Sequence, residues 1–211
     1  MKPKKKHLFR KIWKFIWEDD SIYSWIVNIV LAYVLIKFIV YPTLGFVLST
    51  THPIVAVVSG SMEHDGRFDN WWSSRAACSN SACTQEEFYS VYGISNDKFK
   101  RFDFPNGFNK GDIMILYGSK PKNLAIGDVL IFKASRPDPI IHRIIKINAA
   151  DGSYSFQTKG DHNSNSISSG DFTELDIRDD QIIAKAIFRV PYLGYIKIWF
   201  VELVDFVKTL R

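Results

Sequence analysis

The sequence predicts a mainly β protein: a coiled antiparallel β-domain carried behind an N-terminal transmembrane helix. Three observations lead there. Ile22 to Leu48 is nearly all apolar, with Lys37 as its only charge, and a helix needs about 20 such residues to cross a bilayer. Short strand-like runs recur later, at Ile113 to Tyr117, Val129 to Lys133, Ile140 to Ile147, Tyr154 to Thr158 and Gln181 to Val190. Asn109-Lys110-Gly111-Asp112 and Ile126-Gly127-Asp128 lead into two of them with turn chemistry. No helical period separates the runs, which argues against a parallel sheet joined by helices.

The 211 residues hold one ordinary domain plus a membrane segment, and at 46 % hydrophobic residues the domain has material for a core. Of the charge excess of +5, much lies at the start, in Lys2, Lys4, Lys5, Lys6, Arg10, Lys11 and Lys14. Trp13, Phe15 and Trp17 interleave with these lysines, and Glu18, Asp19 and Asp20 follow. Residues 1–20 therefore read as a basic amphipathic helix at a membrane surface. A nucleic-acid partner is disfavoured, because no aromatic-rich basic face recurs.

The apolar run is too long for the roughly 7–15-residue core of a cleaved signal peptide, and no clear small-residue cleavage site follows it. One span over about Ile22 to Tyr41 is expected, with Pro42 and Gly45 marking its end or a kink and a connector to residue 48. The basic flank puts the N-terminus in the cytoplasm and the rest outside.

Residues 49–190 form the β-domain, with a polar, aromatic-dotted insertion at about 64–109. A structureless loop of that length is unusual, so the insertion is expected to pack on the side of the domain, with a short helix near Gln85 to Tyr92. Cys78 and Cys83 lie within it, as a local disulfide or as two thiols. They lack nearby partners at zinc-ligand spacing, and no metal or organic cofactor is implied. In 191–211, Ile196, Trp199, Phe200, Leu203 and Phe206 or Val207 recur at helical spacing, with Lys197, Asp205 and Lys208 on another face. This reads as an amphipathic membrane-proximal helix, a second span being the alternative.

The chemistry centres on Ile54-Val55-Ala56-Val57-Val58-Ser59-Gly60-Ser61-Met62-Glu63, a β-branched run that ends in small residues and presents a hydroxyl. A serine nucleophile needs a base, and histidine is the default. Among His7, His52, His64, His142 and His162, only His142 sits inside a strand, Ile140-Ile141-His142-Arg143-Ile144-Ile145. Alone, such a residue reads as a satisfied core histidine; beside the Ser61 stretch it becomes the candidate base. Asp161, in Thr158-Lys159-Gly160-Asp161-His162-Asn163, is a turn aspartate by spacing and a candidate to orient the imidazole.

Taken in order behind the anchor, Ser59-Gly60-Ser61-Met62-Glu63, Lys110-Gly111-Asp112, Ile141-His142-Arg143, Thr158-Lys159-Gly160-Asp161 and Pro191-Tyr192-Leu193-Gly194 resemble the motifs of type I signal peptidases. The likeness is to the archaeal and endoplasmic-reticulum branch, with histidine in place of the bacterial lysine. It covers about residues 50–63 and 108–198 and implies a signal-peptidase (LexA-like) β-domain that removes signal peptides.

Carried over, the resemblance makes Ser61 the nucleophile, His142 the general base and an acidic residue after Thr158 the third member: Asp161, with Asp171 as alternative. The Ser61 N–H and the Ser59 hydroxyl would form the oxyanion hole. The implied partners are preprotein signal peptides with small residues before the scissile bond, the lipid bilayer, and subunits of a translocon or signal-peptidase complex. The membrane would be archaeal or that of the endoplasmic reticulum.

Two departures stand out. The 64–109 insertion replaces a short turn, and Ile167 stands where relatives often carry a second aspartate. The competing readings are a Ser-Lys dyad using Lys146 or Lys159, and a non-catalytic, membrane-tethered peptide-binding subunit.

Overall fold

A computed structural model describes residues 4–79, 81–135, 138–150, 152–169, 172–196, 198–200, 202 and 206. The chain divides into two compact units, Met1–Val47 and Leu48–Arg211.

In the first unit, α1 (Lys4–Trp17) is followed by α2 (Ile22–Leu35). The Ser21 side chain caps α2 by accepting the Ser24 N–H. Ser24 Oγ donates to the Phe15 carbonyl at 2.6 Å and Asn28 Nδ2 to the Ile16 carbonyl at 2.9 Å. The end of α1 is thereby stitched to α2. The expected stop near Pro42 does not occur. A π-helical turn, Ile36–Val40, precedes α3 (Tyr41–Val47), and the apolar helix runs unbroken over Ile22–Val47. Proline removes an N–H and crowds the preceding turn, and a π-turn is one way a helix absorbs that misfit. The resulting 26 residues extend about 39 Å at 1.5 Å per residue, enough to cross a bilayer core.

The second unit is built on a seven-stranded antiparallel sheet. Its strands are β1 (Ile54–Ala56), β4 (Ile113–Tyr117), β11 (Ile182–Val190), β5 (Val129–Phe132), β6 (Ile140–Ala150), β7 (Ser153–Lys159) and β10 (Ile177–Arg178), in that spatial order. Register shifts at Ala186/Phe188, Ile182/Ala184 and Ile144/Lys146 bend the strands and curl the sheet. The curl brings strands far apart in sheet order to one site. One core lies around Met62, Phe108, Met114, Leu116, Val129 and Ile131. On β6, Ile144 joins a core with Leu130, Phe132 and Phe156, whereas Ile145 joins the insertion. Adjacent strand residues face opposite ways, so β6 is covered on both faces.

The insertion is a folded body. It contains α4 (Phe68–Trp72), the hairpin β2 (Arg75–Cys78) and β3 (Ser81–Thr84), α5 (Gln85–Val91) and α6 (Asn96–Phe99). Phe68, Trp71, Trp72, Phe88, Tyr89, Ile94 and Phe99 form its core. A Cys78–Cys83 disulfide ties the hairpin, so the two-thiol alternative is set aside. The reciprocal Thr84–Glu87 capping box starts α5. The insertion leaves and returns at one place. Phe108 N–H bonds the Met62 carbonyl at 3.1 Å, and Gly107, at φ +64°, lies so close to that carbonyl that a Cβ would be 2.2 Å from it.

A second small ladder, β8 (Ser168–Ser169) with β9 (Phe172–Thr173), projects after β7. In the tail, residues 195, 196, 198–200, 202 and 206 are helical, and Ile196, Trp199 and Phe200 are exposed. Lys197, Leu203, Asp205, Val207 and Lys208 lie outside the described residues.

Candidate active site

The Ser61 turn is fixed from both sides. Before it, Val57 exchanges backbone hydrogen bonds with the Gly111–Asp112 turn, its N–H reaching the Asp112 carbonyl and its carbonyl taking the Gly111 N–H, each at 2.8 Å. After it, Met62 is wholly buried in the core. The Ser61 carbonyl accepts the His162 N–H at 2.9 Å. A side chain anchored in apolar packing next to an accessible one holds the hydroxyl without covering it.

Ser61 Oγ lies 2.9 Å from His142 Nε2 and 3.2 Å from Ser59 Oγ. His142, opposite Leu130 in the β5–β6 ladder, is 3 % exposed. Its other nitrogen, Nδ1, is hydrogen-bonded to Glu174 Oε1. A carboxylate at Nδ1 requires the proton there, which leaves Nε2 free to accept from the serine hydroxyl. Glu174 is itself fully buried. Its Oε1 accepts Thr158 Oγ1–H at 2.9 Å and its Oε2 the Ile167 N–H at 2.6 Å. Hydroxyl, imidazole and carboxylate thus form one contact chain, the arrangement that lets an imidazole take a serine proton and hold the resulting charge.

The sequence reading did not single out Glu174. It faces Ile167 directly, because the Glu174 N–H donates to the Ile167 carbonyl at 2.8 Å. The β8–β9 ladder is thus a detour, and the chain re-enters the site seven positions late. The available signal was an acidic residue just after the strand pair Phe172-Thr173, following the serine-rich run Ser164 to Ser169. The alternative Asp171 lies outside the described residues.

Asp161 does not touch the imidazole, which corrects its expected place. Arg143 grips it from Nε to Oδ1 at 2.9 Å and from Nη2 to Oδ2 at 2.8 Å. His64 Nε2 lies 3.0 Å from Oδ2, and Tyr89 donates to Oδ1 at 3.2 Å. Burial pushes the Asp161 carboxyl up, but the Arg143 charge and the hydrogen bonds from His64 and Arg143 outweigh it and hold the group well below the usual carboxylate range. His64, at the start of the polar insertion, is buried and stacked on Trp71 with ring centroids 3.6 Å apart.

Neither lysine of the dyad reading lies at Ser61. Lys146 is exposed, and Lys159 Nζ bonds Gln85 and the carbonyls of Gly160 and Asp161. His52 bonds Thr51 and His162 pairs with Asp65; the side chain of His7 lies outside the described residues.

The curled, mainly β domain thus presents a serine hydroxyl to a carboxylate-bound imidazole. No family model matches the chain. It is 29 % identical over 166 residues to the signal peptidase complex catalytic subunit sec11 of Schizosaccharomyces pombe, over 77 % of this chain and 74 % of that one. It is 29 % identical to the SEC11 catalytic subunit of Yarrowia lipolytica, over 45 % of this chain and 56 % of the relative. It is 32 % identical to human SEC11C, over 43 % and 49 %. The matches thus span about half the length of the last two relatives. The chain is similar over most of its length to one signal peptidase complex catalytic subunit, and over about half of its length to two others.

Proposed function

We propose that the chain is a membrane-anchored serine endopeptidase that removes signal peptides from preproteins. The observation that carries the proposal is the Ser61–His142–Glu174 contact chain. Ser61 Oγ attacks the scissile carbonyl as His142 Nε2 takes its proton. Glu174 keeps the imidazole in the right tautomer and stabilises the imidazolium. The proton then passes to the departing amine, and water, activated by the same imidazole, releases the acyl group. The Ser61 N–H and the Ser59 hydroxyl stabilise the tetrahedral oxyanion.

The substrate binds extended along β1, an edge strand of the sheet, with small residues before the scissile bond. The Ile22–Val47 helix crosses an archaeal or endoplasmic-reticulum membrane with the N-terminus cytoplasmic, and the Cys78–Cys83 disulfide supports an oxidising, extracytoplasmic setting for the β-domain. Tethering raises the effective concentration of cleavage sites emerging at the same bilayer. Because the relatives are named as catalytic subunits of complexes, the partners of this chain include other subunits of such an assembly.

The test is cleavage of a model preprotein by the full chain in detergent, with the cut mapped by mass spectrometry. The expected product begins after a small residue at the signal junction, and Ser61→Ala leaves the preprotein intact. A well-folded wild type that cuts nothing, in detergent or in lipid, would mark a peptide-binding module or a subunit that needs its complex.

A further inference from the structure

The mechanism above leaves unused the most unusual buried group in the domain. Lys159, at the end of β7, is wholly inaccessible, and among the described residues no acid side-chain oxygen lies at hydrogen-bond distance from its charge. Its three N–H donors are instead spent on Gln85 Oε1 at 2.8 Å, the Gly160 carbonyl at 3.0 Å and the Asp161 carbonyl at 3.1 Å. Its ammonium also lies 5.2 Å and 5.1 Å from the ring centres of Phe88 and Tyr89, within cation–π range. Gln85, Phe88 and Tyr89 all belong to α5 of the insertion.

The turn that Lys159 grips is a wall of the site. A Cβ on Gly160 would lie 2.7 Å from both His142 Nε2 and the Ser61 carbonyl oxygen, so the glycine backbone is in contact with base and nucleophile alike. Two residues on, the His162 N–H holds that same Ser61 carbonyl. Gln85 Nε2 reaches the Asn163 carbonyl at 3.3 Å, and Trp71 Nε1 the Asp161 carbonyl at 3.0 Å. Every carbonyl from Gly160 to Asp161, and that of Asn163, is therefore held by Lys159 or by the insertion.

We infer that Lys159 is a positioning residue: its ammonium, docked on α5 of the insertion, sets the 160–163 turn against Ser61 and His142 and so makes the insertion part of the catalytic apparatus. The inference rests on the protease reading above. It requires the charged form, because a neutral amine has two N–H groups and turns a lone pair toward one of three oxygens. Burial pushes Lys159 down to about 7, against the pull of Asp161 and Glu174 and with the push of Arg143. With Tyr89, whose ring lies against the ammonium, these are the titratable and charged groups that face it among the described residues. Loss of its proton gives preprotein cleavage an alkaline limb.

The test uses the full chain in detergent and separates kcat from KM across pH. Lys159→Met keeps an unbranched side chain, one heavy atom shorter, and removes the charge. Its kcat is expected to fall on the order of 10²-fold, as for an ångström-scale misplacement, with KM within about two-fold of wild type. Gln85→Glu supplies an isosteric carboxylate and is expected to move the alkaline limb of kcat upward by about one pH unit, a shift that a merely structural contact would not produce. The second variant also decides the matter should Lys159→Met fold poorly. A wild-type kcat in Lys159→Met, or an unmoved limb in Gln85→Glu, overturns the inference while the protease reading stands. A wild type inactive on preproteins removes both.

Discussion

Alanine at Ser61 or at His142 is expected to lower kcat for preprotein cleavage by about 10⁶-fold, and Glu174→Gln by about 10⁴-fold. The first two remove the attacking oxygen or its proton acceptor. The third leaves the shape intact, but an amide at this point can present its NH₂ to Nδ1 and so select the wrong tautomer, with the proton on Nε2 where it blocks transfer from Ser61. Asp161→Asn is expected to cost far less in kcat, no more than about ten-fold, since the Asp161 oxygens meet Arg143, His64 and Tyr89 and not the imidazole. Single-turnover cleavage of a fluorescent preprotein with the four variants gives the ranking. An Asp161→Asn enzyme more impaired than Glu174→Gln would return the orienting role to Asp161.

Stability should depend strongly on the buried Arg143–Asp161 pair. Arg143 is fully buried and spends all its donors: on Asp161, on the Asp103 and Gly127 carbonyls at 2.8 Å and 2.9 Å, and on the Phe104 carbonyl at 2.9 Å. Arg143→Met leaves the Asp161 carboxylate buried without its cation and those carbonyls without donors. A broken buried pair costs about 3–5 kcal/mol, which for a domain of this size lowers Tm by roughly 6–20 °C. The pH dependence follows from the depressed Asp161 pKa. The stability it contributes is complete above the unfolded-state value of about 3.9 and is lost as pH falls toward the lower folded-state value. Urea unfolding of the wild type should therefore weaken steeply below about pH 4, and Asp161→Asn, which starts less stable, should show a flatter acid limb. Parallel acid limbs would show that Asp161 does not drive the effect.

Much of the sheet could be read from the sequence, because runs such as Ile113 to Tyr117 and Ile140 to Ile147 combine β-branched residues with turns at their ends. Ser61 and His142 were legible for a related reason: a hydroxyl at the end of an apolar strand and an imidazole within one both ask for a partner, and the curl of the sheet brings them to 2.9 Å. What could not be read depended on non-local pairing. Glu174 reaches the imidazole only because β8 and β9 fold back, and no local pattern states where a detour ends. Asp161 looked like the orienting acid because its neighbours in sequence are those of the site. Its partners Arg143, His64 and Tyr89 come from three other places in the chain. The continuation of the helix past Pro42 also escaped, since a π-turn leaves no compositional mark.

The backbone bond that joins Glu174 to Ile167 makes those two positions the neck of a loop. Chain added beyond a closed neck costs little, about 0.6 kcal/mol for each doubling of loop length, and does not move what lies at its base. The segment between the neck residues can therefore vary in length, or carry an inserted epitope, while the carboxylate stays on the imidazole. In this chain, the spacing between His142 and Glu174 along the sequence matters less than which residue stands opposite 167.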